Sequence, residues 1–199
     1  MNHSRRSGYS LLELLAVLAI LGLLLALALP ALQGLVNKTS LEAATDDVLL
    51  VFTQARDRAI HHRVDVGVKW ASGNGDIVLT MFEDGNGNGV LSSDIREGKD
   101  RLVAGPYWMR GKYPHVTFSF LPGFAAPDPS GAPIGDLSDP VRFGRSDICT
   151  FTPTGHASPG SVYLSDSVGR QSIVRVTPAN GRIQVLDWHA GKRKWIRRI

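Results

Sequence analysis

The stretch SGYSLLELLAVLAILGLLLALALP, from Ser7 to Pro30, is apolar except for a few small polar residues at its start and one acid, Glu13. It decides what the chain can become. From Tyr9 to Leu29 it holds 21 residues, about 31 Å as a helix at roughly 1.5 Å per residue, which matches a hydrocarbon core of about 30 Å. A secretory signal peptide has a shorter apolar stretch of roughly 7–15 residues followed by a small-residue cleavage site, and Leu29-Pro30-Ala31-Leu32-Gln33 is a poor site of that kind. Arg5 and Arg6 precede the run and the next basic residue is Lys38, so the positive-inside rule puts the N-terminus in the cytoplasm and the rest across the membrane. A carboxylate within a span costs roughly 2.5–3.5 kcal/mol at the helix centre and less near an end. Nothing basic lies at helical spacing from Glu13 within the run, so its partner comes from elsewhere.

The chain has 199 residues, enough for one domain with a real core and an appendage. Its formal charge of +4 comes from the two ends: Arg5, Arg6, Lys192, Arg193, Lys194, Arg197 and Arg198 are seven cations, and without them the balance is −3. The single cysteine, Cys149, excludes an intrachain disulfide framework and reads as a small buried hydrophobe.

After Pro30, Leu41, Ala44, Val48, Phe52, Ala55 and Ala59 recur every three or four residues among Glu42, Asp46, Asp47, Arg56 and Asp57, the pattern of an amphipathic helix over 31–62. Val64, Val66, Val68 and Trp70 then alternate with Asp65, Gly67 and Lys69, while Ile77, Leu79 and Met81 alternate with Val78, Thr80 and Phe82 across the turn Ser72-Gly73-Asn74-Gly75-Asp76, which is a hairpin signal. Further strands are expected at Val116–Leu121, Asp147–Thr152, Ser161–Leu164, Ser172–Thr177 and Ile183–Trp188, between Gly, Pro and Asp clusters. The expected fold class is α+β: a long N-terminal helix packed on an antiparallel body of about seven or eight strands over 63–199.

The segment Arg5-Arg6-Ser7-Gly8-Tyr9-Ser10-Leu11-Leu12-Glu13 resembles the prepilin-type signal of type IV pilins and type II secretion pseudopilins. The resemblance implies that 1–8 is a cytoplasmic leader removed by a prepilin peptidase between Gly8 and Tyr9, that the new N-terminus is methylated, and that 9–30 stays as the transmembrane assembly helix. It also implies that Glu13 pairs with the N-terminal amine of an adjacent subunit, and that the helix melts or bends at Pro30. The order of later segments narrows the resemblance to the GspH/FimT group of minor pseudopilins and minor pilins. Its carriers are Ala55-Arg56-Asp57-Arg58-Ala59-Ile60, Phe82–Gly89, Phe151-Thr152-Pro153-Thr154-Gly155 and Val174–Ile183. The Pro- and Gly-rich stretch Pro122–Pro140 reads as an inserted loop. The implied protein is a structural subunit near the tip of a periplasmic pseudopilus, anchored in the bacterial inner membrane by one span. Its partners are other pseudopilins or minor pilins and the prepilin peptidase/N-methyltransferase.

Two further segments bear on binding. Asp84, Asn86, Asn88 and Asp94 place oxygen-bearing residues at mostly alternate positions, as a calcium loop does, but the twelfth position is Ile95 where an EF-hand has a bidentate Glu. Asx-Gly repeats also make ordinary β-turns. Lys192, Arg193, Lys194, Trp195, Arg197 and Arg198 concentrate positive charge around an aromatic residue, as a phosphate-binding segment with a stacking platform does. The alternative is an edge strand kept soluble by cations. Some FimT-type pilins bind DNA through Gly-Arg-x-Arg; here Gly181-Arg182-Ile183-Gln184 lacks the second arginine. No HExxH, GxSxG or phosphate-cradling glycine motif occurs, and the histidines form no catalytic constellation. The chain reads as a structural protein and not an enzyme, with no cofactor unless calcium fills the loop, and with DNA binding as the rival function.

Overall fold

The computed structural model describes residues 10–73, 76–121, 127–166 and 169–198. The chain divides into two compact units, Met1–Val36 and Asn37–Ile199. The division falls inside one helix, α1, which runs over Leu11–His62. The helix continues through Pro30, so the melted stretch expected there is not found. A proline removes one N–H donor, and the good helix formers on both sides keep the helix going.

In the first unit every described side chain of α1 from Ser10 to Leu29 is exposed. In the second unit α1 becomes amphipathic as its spacing predicts, with Leu41, Ala44, Val48, Val51, Phe52, Ala55 and Ala59 buried. The buried hydroxyl of Thr45 donates to the Leu41 carbonyl four residues back, at 2.7 Å, which satisfies it without a tertiary partner. The helix stops where Arg63 turns into the left-handed region, φ 56°.

The body holds two antiparallel sheets. The first has the order β3-β2-β1-β6, from β1 Val66–Gly73, β2 Asp76–Glu83, β3 Arg101–Trp108 and β6 Ile148–Phe151. The β1–β2 hairpin registers Val66 with Glu83 and Gly73 with Asp76, as the alternation predicts. The second has the order β10-β9-β8-β7-β4, with β5 also paired to β7. Its strands are β4 Val116–Thr117, β5 Val141–Arg142, β7 Gly160–Asp166, β8 Gln171–Val176, β9 Ile183–His189 and β10 Lys194–Arg197. One core joins the amphipathic part of α1 to both sheets, through Val66, Val68, Leu79, Cys149 and Phe151 from the first and Val162, Leu164, Val174, Val176 and Val185 from the second. Phe52 of α1 stands at its centre, fully buried, with edge-on contacts to Trp70, Phe143 and Phe151 at 5.9, 5.6 and 6.0 Å between ring centroids.

Ten strands are described, where about seven or eight are expected from the sequence. Two of the extra strands, β5 and β10, are two and four residues long, too short for a period to show. The third, β3, is an eight-residue edge strand that carries Gly105-Pro106 in its middle, which reads as a turn in sequence. A short helix, α2 Ser92–Glu97, is also absent from the sequence expectation. The strand expected over Val116–Leu121 ends at Thr117.

The segment after β4 packs instead against the second sheet. Phe120 lies on Tyr163 and Ile173, with Ile134 and Trp195 against them, in a second small apolar cluster. Asp128 fixes this covering segment by accepting from the Tyr163 hydroxyl at 3.2 Å and from Arg175 at 3.1 Å. The loop expected over Pro122–Pro140 is thus, in its described part from residue 127 onward, a cover on the sheet.

Candidate functional site

The first candidate is the N-terminal part of α1. Leu11–Leu29 is long and apolar enough to cross a membrane. Leu11, Leu12, Leu14, Leu15, Val17 and Leu18 are each more than half exposed. Apolar surface on every side of a helix has no place in water; it belongs in lipid or against other helices. Glu13 sits in the first turn, where a carboxylate also faces the unpaired N–H groups of the helix start. No basic side chain is paired with Glu13 among the described residues. Gly8 and Tyr9 lie outside the described residues, and of Pro30 only the helical backbone is described.

Residues 3–29 match the prokaryotic N-terminal methylation motif. This is the prepilin-type signal of type IV pilins and pseudopilins, and it supports a type IV pilin-like protein. The motif implies processing by a prepilin peptidase and assembly with other pilins. With the one apolar helix of spanning length among the described residues, it fits a protein anchored in a membrane by a single pass. Comparison with curated proteins and with solved structures returns no match.

The second candidate is the loop after β2. The structure brings Asp84, Asn86, Asn88 and Asp94 together, but as a closed hydrogen-bonded cage. One carboxylate oxygen of Asp84 accepts from the backbone N–H groups of Asn86 and Gly87 at 3.0 and 2.8 Å, and the other from Gly89 at 2.7 Å. Asp94 Oδ2 accepts from the side-chain amides of Asn86 and Asn88 at 3.0 and 2.9 Å. Asp100 closes the far side through the backbone N–H groups of Gly85 and Leu91. Gly85 is required there: a Cβ would stand 2.0 Å from the Lys99 carbonyl oxygen.

Burial works to raise the Asp84 carboxyl, but the donors of Asn86, Gly89 and Gly87 outweigh it and hold it below the usual range. Asp94 is held low by the amides of Asn86 and Asn88. Both Asp84 oxygens and Asp94 Oδ2 thus accept from N–H donors of the loop itself. Among the described residues no group of three or more His, Cys, Asp or Glu is placed to hold a metal ion. Asp100 carries no motif signal, because the sequence separates it from Asp84 by a helix and a turn.

The third candidate is the basic C-terminal segment, whose residues do not form one surface. Arg182 lies in the turn before β9, beside Asn180, whose carbonyl accepts from Arg56 of α1 at 3.3 Å. Lys192, Arg193 and Lys194 lie at the other end of β9, while Arg198 returns along β10 to lie opposite Val185, within 3.3 Å of Asp46 and 3.6 Å of Asp187. Trp195 is half-buried, edge-on to Trp188 at 5.2 Å, and its indole N–H donates to the Pro127 carbonyl at 2.8 Å. Its ring is packed and is no free platform for a base. Lys192, Arg193, Lys194 and Arg197 are exposed.

A charge cluster that sequence reasoning did not single out joins α1 to the first sheet. Glu83, 5% exposed, accepts from Arg58 and Arg101, and His62 Nδ1 stands 3.5 Å away. Burial pushes the Glu83 carboxyl up, and the two guanidinium groups more than reverse it, so it titrates below the ordinary range. The cluster ties the end of α1 to β2 and β3.

Proposed function

We propose that this chain is a minor pseudopilin of a type II protein secretion system, a structural subunit at or near the tip of a periplasmic pseudopilus. The observation that carries the reading is the methylation motif over residues 3–29, leading into an exposed apolar helix whose continuation packs on antiparallel sheets. A prepilin peptidase cuts between Gly8 and Tyr9 on the cytoplasmic face of the inner membrane, and the body is periplasmic. The apolar helix then leaves the lipid for the filament core, where Glu13 meets the new amino group of an adjacent subunit. Burial of a lone carboxylate is costly, so the pair sets the axial register of the subunit by penalising every other one.

Two measurements test this. Mass spectrometry of the native protein should give an N-terminus at methylated Tyr9; any other start overturns the processing step. Glu13→Ala should leave membrane insertion intact and abolish incorporation into the filament and secretion, and normal secretion by that variant overturns the role of Glu13. The rival, a minor type IV pilin that binds DNA through its basic end, draws on Arg182 and the C-terminal cations together. Arg182 and the turn cations Lys192, Arg193 and Lys194 lie at opposite ends of β9, and Arg198, which returns toward Arg182, is paired with Asp46 and Asp187, which supports the first reading.

A further inference from the structure

We propose that the basic turn between β9 and β10, Lys192-Arg193-Lys194, with Arg197 three residues further along β10, binds anionic lipid headgroups at the surface of the bilayer that holds the protein. This rests on Leu11–Leu29 spanning that bilayer.

The first support is charge left unspent. All four side chains are exposed, and no carboxylate pairs with them among the described residues, whereas Arg198 next to them is taken by Asp46 and Asp187. The turn is held rigidly for so basic a segment. Ala190–Lys192 forms a single 3-10 turn, His189 Nδ1 accepts from the Lys192 backbone N–H at 3.3 Å, and Arg193 takes the left-handed conformation, φ 47°.

The second support is position. Within the body, Asn180 just before β9 contacts Arg56 of α1, and Asp187 near the end of β9 shares Arg198 with Asp46 of α1. The strand therefore runs antiparallel to the helix, from the level of residue 56 to that of residue 46, and heads for Asn37. Its turn lies a further two to five residues on, roughly 7–16 Å at about 3.3 Å per residue. Asn37 is itself about 14 Å beyond Asp46 along the helix, so the turn sits at the Asn37 end of the body.

Asn37 lies only eight positions beyond Leu29, the last residue of the span. Even fully extended they reach no more than about 29 Å, and as helix about 12 Å. The Asn37 end of the body is thus tethered to the end of the span by a short stretch of chain. Clustered Lys and Arg at such a place each gain from an anionic leaflet. Trp188 and Trp195 flank the same turn, both half-buried, a residue type suited to the headgroup layer. The acidic loop lies at the opposite end, beside Glu83 and the His62 terminus of α1, so the body is polarised, with its basic pole at the Asn37 end.

Lipid phosphates and nucleic-acid phosphates share this chemistry, and position selects the lipid. The test uses the full chain with Gly191→Cys bearing an environment-sensitive fluorophore. A Cβ at 191 would meet only the His189 ring, at 3.5 Å, and the fully buried Cys149 stays unlabelled. The protein is inserted into phosphatidylcholine vesicles with and without one part in three of phosphatidylglycerol, and flotation checks insertion separately. The expected result is a blue shift in the anionic vesicles only, reversed by about 1 M salt. Neutralising Lys192, Arg193 and Lys194 to Gln should weaken the response about fivefold per charge, while Arg182→Gln leaves it unchanged. Identical emission in both vesicle types overturns the proposal. So does a larger response to duplex DNA added to the neutral vesicles, which makes the turn a nucleic-acid surface. A chain that does not float overturns the spanning reading itself, and this inference with it.

Discussion

Arg198 reaches Asp46 at 3.3 Å and so joins the end of the last strand to the long helix across 152 positions of sequence. The guanidinium is 21% exposed and Asp46 57%, so the pair itself is worth well under about 1 kcal/mol. Its larger effect is on β10, which pairs only with β9 and forms an edge of the second sheet. Arg198→Ala should lower global stability by about 1 kcal/mol or less and raise amide exchange selectively in Lys194–Arg197. Hydrogen-exchange mass spectrometry checks this; uniform change across the body would show that the contact does not hold the strand.

Phe52→Ala removes the ring on which Trp70, Phe143 and Phe151 converge. A cavity at the meeting point of helix and both sheets cannot be closed by moving one element. The expected cost is about 3–5 kcal/mol, read by denaturant unfolding of the detergent-solubilised chain. A cost under about 1 kcal/mol would mean that the body repacks freely around this site.

Glu83 and Asp65 should give opposite responses to pH. Glu83 titrates low because Arg58 and Arg101 overcome its burial. The stability it supplies is complete above the ordinary glutamate value, about 4.3, and is lost as pH falls through its own lower value. Glu83→Gln should cost about 1–3 kcal/mol at pH 7, less than a fully enclosed pair because Arg101 keeps contact with water. That cost should shrink below about pH 4. Asp65 is pushed up, first by burial and then by the neighbouring Asp84 charge. The fold disfavours its ionised form, so Asp65→Asn should raise the melting temperature at pH 7 and lose that advantage below about pH 4. Thermal melts of both variants from pH 3 to 7 decide the signs.

Asp84→Ala leaves the backbone N–H groups of Asn86, Gly87 and Gly89 without their acceptor. The expected loss is roughly 2 kcal/mol. Because the cage is closed by its own donors, wild type and variant should show the same difference with a calcium chelator and with millimolar calcium. Stabilisation of the wild type alone by calcium would make the loop a cation site after all.

The helix was readable because its signal is long: 21 apolar residues, then Leu41 to Ala59 at helical spacing. The β1–β2 hairpin was readable because both strands alternate around a Gly-rich turn. Strand β3 was hidden because Gly105-Pro106 falls within it and its burial does not alternate, and β10 because its cations read equally well as a tail. The grouping of Asp84, Asn86, Asn88 and Asp94 was legible from spacing; the use of their oxygens was not, since it depends on which way each N–H points. Glu83, Arg58 and Arg101 come from three elements, and no local pattern connects them. The division of Arg182 from Lys192, Arg193 and Lys194 comes from the length of β9, which only the sheet pairing reveals.

The helix that begins as an apolar rod ends as a main wall of the core, with Leu41, Ala44, Val48, Phe52, Ala55 and Ala59 all gripped by the body. A pull applied to the body's helix at Asn37 along its axis therefore loads these contacts in shear, all at once, and cannot peel them off one by one. A subunit that is pushed and dragged by its stem would yield at the last moment and as a whole, so the grip that folds the body also gives it mechanical strength.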